Sequence, residues 1–258
     1  MRDTPVVFFD LDGTLLTNDH RVAESSVQAI KRMTEKGILS VLATGRTLFE
    51  VDYILEETGI RSCVLMNGQY VTHEGEVVYR NPLDTDELMK LHEAADKKGF
   101  ALVYHTPEKI VASTDESELL KKDLHYCGRD FPRVDSKLYM KEPVYQAEIY
   151  LEKGEEAYFQ EQFPYLQFVR NSPFGCDVYP ATITKASGIQ KFLEITGISK
   201  ENTYAFGDGF NDLEMFQLVG TSIAMENAVD AIKEKATHIT KSNEEDGIYH
   251  GLKKCGLI

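Results

Sequence analysis

Two carboxylates stand close together near the start of the chain, in the run Asp10-Leu11-Asp12-Gly13-Thr14. The preceding residues, Val6–Phe9, form a short apolar run rich in β-branched and aromatic side chains, which predicts a buried strand. Because side chains alternate along a strand, we expect Asp10 and Asp12 to project to the same side at its carboxyl edge. Neighbouring carboxylates repel each other unless a cation or a proton offsets their charge. The motif therefore predicts metal or acid–base chemistry, with an ordinary Asp-Gly turn as the alternative.

A second acidic motif, Gly207-Asp208-Gly209-Phe210-Asn211-Asp212, follows the apolar run 203–206. A dinucleotide-binding fingerprint is excluded because Asp212 stands where glycine is required, and an EF-hand is excluded because Phe210 occupies a ligand position. A plain turn with Asn211 or Asp212 as helix cap remains the alternative. Since both acidic motifs end predicted strands, we expect them to face the same crevice of an open α/β sheet.

Charge balance indicates what such a crevice would bind. Asp10, Asp12, Asp208 and Asp212 together would bring four negative charges to one place. Oxygen-rich acidic sites suit Mg²⁺, which is commonly held by carboxylates, waters and substrate phosphate. A bound phosphate would add further negative charge, so a metal, a lysine and one protonated carboxyl group would all be needed.

Groups that complement a phosphate occur elsewhere in the chain. Thr44 and Gly45 follow the predicted strand 38–43, where a hydroxyl and backbone N–H groups at a helix start can hold a phosphate. Lys185 opens a predicted helix over 185–195 and can project into the same crevice. Taken singly, a threonine cap and a solvated surface lysine are the ordinary interpretations of these residues.

Strand and helix patterns alternate over the first 80 residues and again after residue 185. Apolar spacing predicts helices over 23–33 and 48–57, strands over 38–43 and 63–66, and a hairpin over 71–78. This alternation predicts an α/β fold with a doubly wound, Rossmann-like parallel sheet. We place this core at residues 1–81 and 183–258.

The intervening residues 82–182 have a different pattern. Helices are predicted over 87–97 and 116–126, and strands over 145–151 and 166–170, with six prolines distributed between residues 84 and 180. Separate helical and strand runs predict an α+β layer rather than further βαβ units. We therefore expect one α/β core split by an inserted α+β domain.

Composition excludes several classes of protein. The net charge of −14 and pI near 5.0 argue against binding to nucleic-acid phosphates or anionic membranes, which need clustered lysine and arginine. The only apolar run near the N-terminus is interrupted by acids, so no signal peptide is predicted, and no stretch is long enough to span a membrane. We expect a cytoplasmic protein. Reduced, structural thiols are expected for its scattered cysteines, Cys63, Cys127, Cys176 and Cys255.

Taken in order, these motifs resemble those of the haloacid dehalogenase (HAD) superfamily of phosphohydrolases. The four signature motifs correspond to Asp10–Thr14, to Ala43-Thr44-Gly45-Arg46, to Lys185 and to the run from Gly207 to Asp212. The insert is similar to the larger, C2-type cap, and Asn243-Glu244-Glu245-Asp246-Gly247-Ile248 resembles the Cof-type branch. One departure is Lys185-Ala186-Ser187-Gly188, because the branch usually has glycine directly after the lysine.

The resemblance implies a role for each residue. Asp10 would attack phosphorus and form an aspartyl-phosphate, while Asp12 would act first as general acid and then as general base. Mg²⁺ would be held by Asp10, the backbone carbonyl of Asp12 and Asp208, with Asp212 as a ligand or an orienting residue. The phosphoryl group would contact Thr44, Lys185, Asn211 and the amides of Leu11 and Gly45. The cap would exclude water and select the substrate.

The first functional hypothesis is a Mg²⁺-dependent phosphatase acting on a small phosphorylated metabolite, either a sugar phosphate or a nucleotide-like cofactor. A phosphomutase or phosphotransferase would use the same aspartyl-phosphate, and the sequence does not separate the two. A non-catalytic binding module on the same fold is the third hypothesis, but such a module is expected to lack one of the acids, and none is missing. No oligomeric state is indicated by the sequence.

Overall fold

The computed structural model describes residues 4–258, and their contacts divide into two units. The first unit contains the described residues up to Arg80 together with Thr184–Ile258, and the second contains Asn81–Ile183. No helix within residues 4–258 combines the length and the apolar character needed to span a membrane.

The first segment of unit 1 alternates strands with helices. Helix α1 buries one stripe of side chains that includes Ala29, Ile30 and Met33, while α2 is stabilised at its N-terminus by a capping box between Thr47 and Glu50. The elements are β1 (Val6–Phe9), α1 (Glu24–Glu35), β2 (Leu39–Ala43), α2 (Leu48–Thr58), β3 (Ser62–Leu65), β4 (Tyr70–His73) and β5 (Glu76–Arg80).

Unit 2 is an α+β layer. Its strands form a six-stranded sheet in the order β10-β11-β9-β6-β7-β8, with antiparallel pairs except between β7 and β8. Two of its helices, α3 and α5, cover an apolar core on one sheet face. The elements are α3 (Thr85–Lys97), β6 (Ala101–His105), β7 (Ile110–Ala112), α4 (Glu118–Cys127), β8 (Arg133–Val134), β9 (Gln146–Tyr150), α5 (Glu156–Gln162), β10 (Leu166–Arg170) and β11 (Gly175–Pro180).

The second segment of unit 1 returns to alternating elements. These are α6 (Lys185–Thr196), β12 (Thr203–Gly207), α7 (Leu213–Leu218), β13 (Thr221–Ala224), α8 (Asp230–Lys233), β14 (His238–Ile239) and α9 (Gly247–Lys254). On one face of the sheet Phe192 of α6 packs edge-on against Phe8, with ring centroids 5.8 Å apart. On the other face Gly251 of α9 lies against the ring of Phe206. Helices therefore cover both faces.

Within residues 4–258, the sheet of unit 1 has eight strands in the order β14-β13-β12-β1-β2-β3-β4-β5. The six strands from β14 to β3 are parallel, whereas β4 and β5 continue the sheet as an antiparallel hairpin. The predicted α/β fold with a Rossmann-like core is confirmed, and the hairpin makes the sheet mixed rather than wholly parallel. Because β12, β1 and β2 are neighbours, the residues that follow them meet at one sheet edge.

Candidate active site

The chain changes conformation directly after Asp10. The amide of Asp10 still donates to the Phe206 carbonyl at 3.0 Å, which extends the β1–β12 ladder by one residue. Residues Leu11–Leu15 then form a tight turn, in which Asp12 and Gly13 have non-helical backbone angles, and the Leu16 amide closes it by donating to the Leu11 carbonyl at 2.9 Å. Asp12 lies in this turn and not in a strand. Strand alternation therefore does not set the direction of its side chain, contrary to the sequence-based expectation.

Lys185 joins two of the predicted acids. Its Nζ lies 2.6 Å from Oδ1 of Asp10 and 2.5 Å from Oδ1 of Asp212. All three side chains are almost fully buried, with at most 8% of any of them exposed. Lys185 is the first residue of α6, whose capping box between Thr184 and Ser187 fixes where that helix begins. This arrangement is an ion pair shared among three groups, and not a solvated surface lysine.

Burial and charge act in opposite directions on these groups. Burial and the neighbouring Asp212 raise the pKa of Asp10 to about 8, although Lys185 opposes this shift. Burial alone would lower the pKa of Lys185, but the carboxylates of Asp10 and Asp212 raise it overall. The ammonium group is therefore held in its charged form. A further positive charge placed nearby would stabilise the ionised form of Asp10.

Asp208 contacts the turn that carries Asp12. Its Oδ1 accepts a hydrogen bond from Thr14 Oγ1 at 2.7 Å, and burial raises its pKa. Gly13 has a φ of +78°, and a Cβ atom at this position would collide with the Asp208 carboxylate. Glycine is therefore required both by the backbone conformation and by the close approach of the acid. Thr14 has no role among the sequence-based predictions, although its position in the first motif, two residues after Asp12, could have indicated one.

Asp212 is fully committed to hydrogen bonds within the protein. One of its oxygens accepts from Lys185, and the other accepts from the amides of Asp208 and Gly209 at 3.0 and 3.1 Å. Asp212 thus holds both the lysine and the loop that carries Asp208. Asp212 was predicted to be either a metal ligand or an orienting residue, and this geometry favours the orienting role.

Asp12 has a partner that sequence reasoning missed. The guanidinium of Arg46 binds both of its oxygens, with Nε 3.0 Å from Oδ2 and Nη2 in contact with Oδ1. The Asp12 side chain remains 53% exposed. Arg46 belongs to the second motif, and its own amide donates to Thr44 Oγ1 at 3.2 Å. The first and second motifs are therefore connected directly through this pair.

The remaining candidates for phosphate contact lie around these groups. Thr44 is buried and follows β2, but α2 begins only at Leu48 with Thr47 as its N-cap, so Thr44 and Gly45 precede the helix instead of opening it. The side chain of Leu11 is fully buried, so only its backbone can face a ligand. Asn211 is exposed in the turn after β12 and is not part of the bonded cluster.

A close glycine contact positions the start of α6. Residues 66–68 all have positive φ angles, and this turn lies against the first turns of α6. A Cβ on Gly188 would meet the Gly68 Cα atom and lie 2.6 Å from Cγ1 of Val64. Gly188 therefore allows the backbones to touch. This contact gives a physical role to the glycine three residues after Lys185.

The donor set fits a hard divalent cation. Carboxylate oxygens of Asp10, Asp208 and Asp212 all lie within 4.8 Å of one another. Three carboxylates against the single ammonium of Lys185 leave two negative charges in a largely buried place, which one divalent ion would balance. Oxygen donors at this spacing suit Mg²⁺, which keeps several waters and few protein ligands. Asp10 and Asp208 are the residues whose oxygens remain available for it.

Comparison with known proteins agrees with this geometry. Residues 7–252 match the family model described as haloacid dehalogenase-like hydrolase. The provisionally named phosphatase YkrA of Bacillus subtilis (strain 168) is 35% identical over 256 residues, which cover 99% of each chain. The chain therefore belongs to the haloacid dehalogenase-like hydrolase family, as its motifs predicted.

Two solved structures are similar to this chain over almost its whole length. A hypothetical protein from Geobacillus kaustophilus HTA426 is 38% identical, covers 99% of this chain and 100% of its own, and has a TM-score of 0.96. The HAD subclass IIB sugar phosphatase BT4131 is 27% identical with the same coverage and a TM-score of 0.83. The chain thus belongs among the phosphatases of its family, and the prediction of a HAD-type phosphatase is confirmed.

Proposed function

We propose that this protein is a Mg²⁺-dependent phosphatase that hydrolyses a small phosphorylated metabolite through an aspartyl-phosphate on Asp10. The observation that carries the proposal is the division of partners among the acids. Asp10 is bonded to Lys185 beside Asp208, whereas Asp12 is held separately by Arg46. A nucleophile and an acid–base group need different surroundings, and these two carboxylates have them.

In the first step, an oxygen of Asp10 attacks phosphorus in line, and the bond from phosphorus to the leaving oxygen breaks. Asp12 donates its proton to that oxygen, so the product leaves as an alcohol. Lys185 neutralises Asp10 and Asp212 and keeps the attacking carboxylate in place. When bound, the divalent ion would neutralise phosphoryl oxygens and orient them for attack.

In the second step, Asp12 takes a proton from water as the water attacks phosphorus. The bond between phosphorus and the Asp10 oxygen breaks, which regenerates the carboxylate and releases inorganic phosphate. The Arg46 pair holds Asp12 in a fixed orientation for this transfer. A protonated carboxyl group is neutral and keeps only part of its acceptor capacity, so the pair weakens when Asp12 carries the proton for the first step.

We assign the choice of substrate to unit 2, as the cap of the proposed enzyme. Glu148 and Asp177 are cross-strand partners, and His105 and Gln146 form the next pair on the same sheet face. These polar side chains lie on the face opposite the core under α3 and α5, beside a second apolar cluster that packs on α4. Carboxylate, imidazole and amide groups can bind sugar hydroxyls, and the sugar phosphatase BT4131 supports a sugar phosphate as the first substrate class to test. The net charge of −14 argues against nucleic-acid partners and favours a small-molecule one. We also propose a cytoplasmic location.

The experiment is a screen of the purified protein with Mg²⁺ against phosphorylated sugars, nucleotides and aryl phosphates, with phosphate release as the readout. Asp10→Asn should lower turnover by about three orders of magnitude or more, because the nucleophile is removed. Asp19→Asn, an exposed acid in the following segment, is the matched control and should retain activity. Unchanged metal-dependent hydrolysis in Asp10→Asn would refute the proposal. Transfer of phosphate to added sugars, in place of release, would identify a phosphotransferase.

A further inference from the structure

The turn that carries Asp12 is held by two asparagines from distant parts of unit 1. Asn227 lies in the loop after β13, and its Nδ2 donates to the Gly13 carbonyl at 2.8 Å. Asn243 belongs to the C-terminal motif, and its Nδ2 donates to the Leu16 carbonyl at 2.9 Å. Both carbonyls belong to the segment that begins at Asp10, so the turn is bound on each side of Thr14.

The two asparagines are bonded to each other. The amide of Asn243 donates to Oδ1 of Asn227 at 3.1 Å. Asn243 is only 8% exposed, whereas Asn227 lies at the surface. We call these two residues, with their bonds to Gly13 and Leu16, the amide bridge.

The amide bridge also reaches the loop that carries Asp208. On either side of Asn227, the amide of Met225 donates to the Gly207 carbonyl at 3.1 Å and the amide of Val229 donates to the Asp208 carbonyl at 3.0 Å. The segment that contains Asn227 is therefore fixed to the fourth motif by its backbone and to the first motif by its side chain. The side chain of Asn227 thus adds a further link between these two motifs, beside the hydrogen bond from Thr14 to Asp208.

The rest of the C-terminal motif reinforces the same contact. Glu244 Oε1 accepts from the Asn18 amide at 2.5 Å, and Asp246 Oδ1 accepts from Ser25 Oγ at 2.5 Å. Gly247 has no room for a side chain, since a Cβ there would lie 2.6 Å from the Met225 Cε atom. The motif that marks the Cof-type branch is thus folded onto the segment that follows Asp12.

We propose that Asn227 and Asn243 are positioning residues for the transfer of the proton from Asp12 to the leaving group. Neither touches the reacting atoms. The amide bridge fixes the peptide between Gly13 and Thr14, directly after Asp12. Thr14 in turn donates a hydrogen bond to Asp208. A small displacement of a catalytic group is costly, because proton transfer depends on short, aligned contacts. This inference rests on the proposed phosphatase function and adds the residues that align its acid.

The test compares aryl phosphates that differ only in how much their leaving group needs a proton. Loss of acid alignment should slow phenyl phosphate far more than 4-nitrophenyl phosphate, whose leaving oxygen departs readily as an anion. For Asn227→Ala, we expect the ratio of kcat/KM for 4-nitrophenyl over phenyl phosphate to rise about tenfold or more, which is a partial loss of the roughly 10²–10⁴-fold contribution of general acid–base catalysis. A purely structural role would lower both values equally.

Two further variants complete the design. Asn227→Asp keeps the oxygen that accepts from Asn243 but loses the donor to Gly13, so it should raise the same ratio even if Asn227→Ala folds poorly. Ser222→Ala removes a buried hydroxyl that accepts from the Thr237 amide at 3.1 Å, away from the amide bridge, and should leave the ratio unchanged. A folded Asn227→Asp protein with the wild-type ratio would overturn the inference. Absence of metal-dependent hydrolysis in the wild-type protein would instead refute the proposed function.

Discussion

Replacing Lys185 with methionine tests the charge balance of the site directly. Methionine is similar in length and apolar, so Lys185→Met removes the ammonium group while keeping most of the packing. The ammonium has no exposed surface and bonds both Asp10 and Asp212. Its loss leaves two buried carboxylates without their cation. We therefore expect a large decrease in the free energy of unfolding.

The magnitude follows from the geometry of these two pairs. Breaking a buried ion pair by removing one partner costs about 3–5 kcal/mol, because the remaining charge is left uncompensated. Asp212 retains its two amide donors, so the cost should fall mainly on Asp10. Urea unfolding at constant pH measures the change. Lys191→Met, on the exposed face of the same helix, is the matched control and should have little effect.

The effect should depend on pH with a definite sign. Burial and Asp212 raise the pKa of Asp10 to about 8, well above its value in the unfolded chain. Between about pH 4 and pH 8 the unfolded chain loses this proton first, so the wild-type protein becomes less stable as the pH rises. Loss of Lys185 raises the pKa of Asp10 further. The difference between variant and wild type should therefore be smaller at pH 5 than at pH 9.

Magnesium provides the second arm of this test. A cation that binds only the folded state stabilises it by RT ln(1 + [Mg²⁺]/Kd), so added Mg²⁺ should stabilise the metal-free wild-type protein at pH 9. It should also narrow the gap between wild type and Lys185→Met, because it supplies positive charge to the same carboxylates. A gap between wild type and Lys185→Met below about 1 kcal/mol at pH 9 without Mg²⁺, outside the range expected for a broken buried pair, would refute this account of the cluster. So would a gap that does not grow with pH.

Two other substitutions test how the neighbouring motifs are held. Gly188→Ala should destabilise the protein by about 1–3 kcal/mol, as overpacking does, because its new methyl group would press on Gly68 and Val64; an unchanged urea midpoint would contradict the close contact. Arg46→Lys should lower kcat/KM about tenfold or more, since a lysine cannot hold Asp12 by two parallel bonds. Mg²⁺ stabilisation should be retained in Arg46→Lys, and its loss would show that the Arg46–Asp12 pair is also needed to hold the metal ligands in place.

The elements that position the site could be predicted because their sequence patterns are local. Val6–Phe9 is apolar throughout and forms a fully buried strand, and Lys185 opens a helix with a capping box that lies in adjacent residues. The Arg46–Asp12 pair could not be predicted in the same way. It depends on the chain leaving the strand at Asp10, and a period-two pattern carries no information about where a strand ends. The polar pairs of unit 2 could not be predicted either, because cross-strand partners such as Glu148 and Asp177 depend on the register between two strands.

The structure also changes how the charges in the site should be counted. Counted from the sequence, four acids and a bound phosphate face one divalent ion and one lysine, so one carboxyl group has to be protonated as well. Arg46 pairs with Asp12 and supplies the positive charge that this proton would otherwise provide, while one divalent ion and Lys185 face the other three acids. The proton on Asp12 is then not needed to relieve repulsion. Its requirement comes from the leaving group alone, which is why leaving-group dependence, and not metal affinity, should respond to variants that disturb the turn around Asp12.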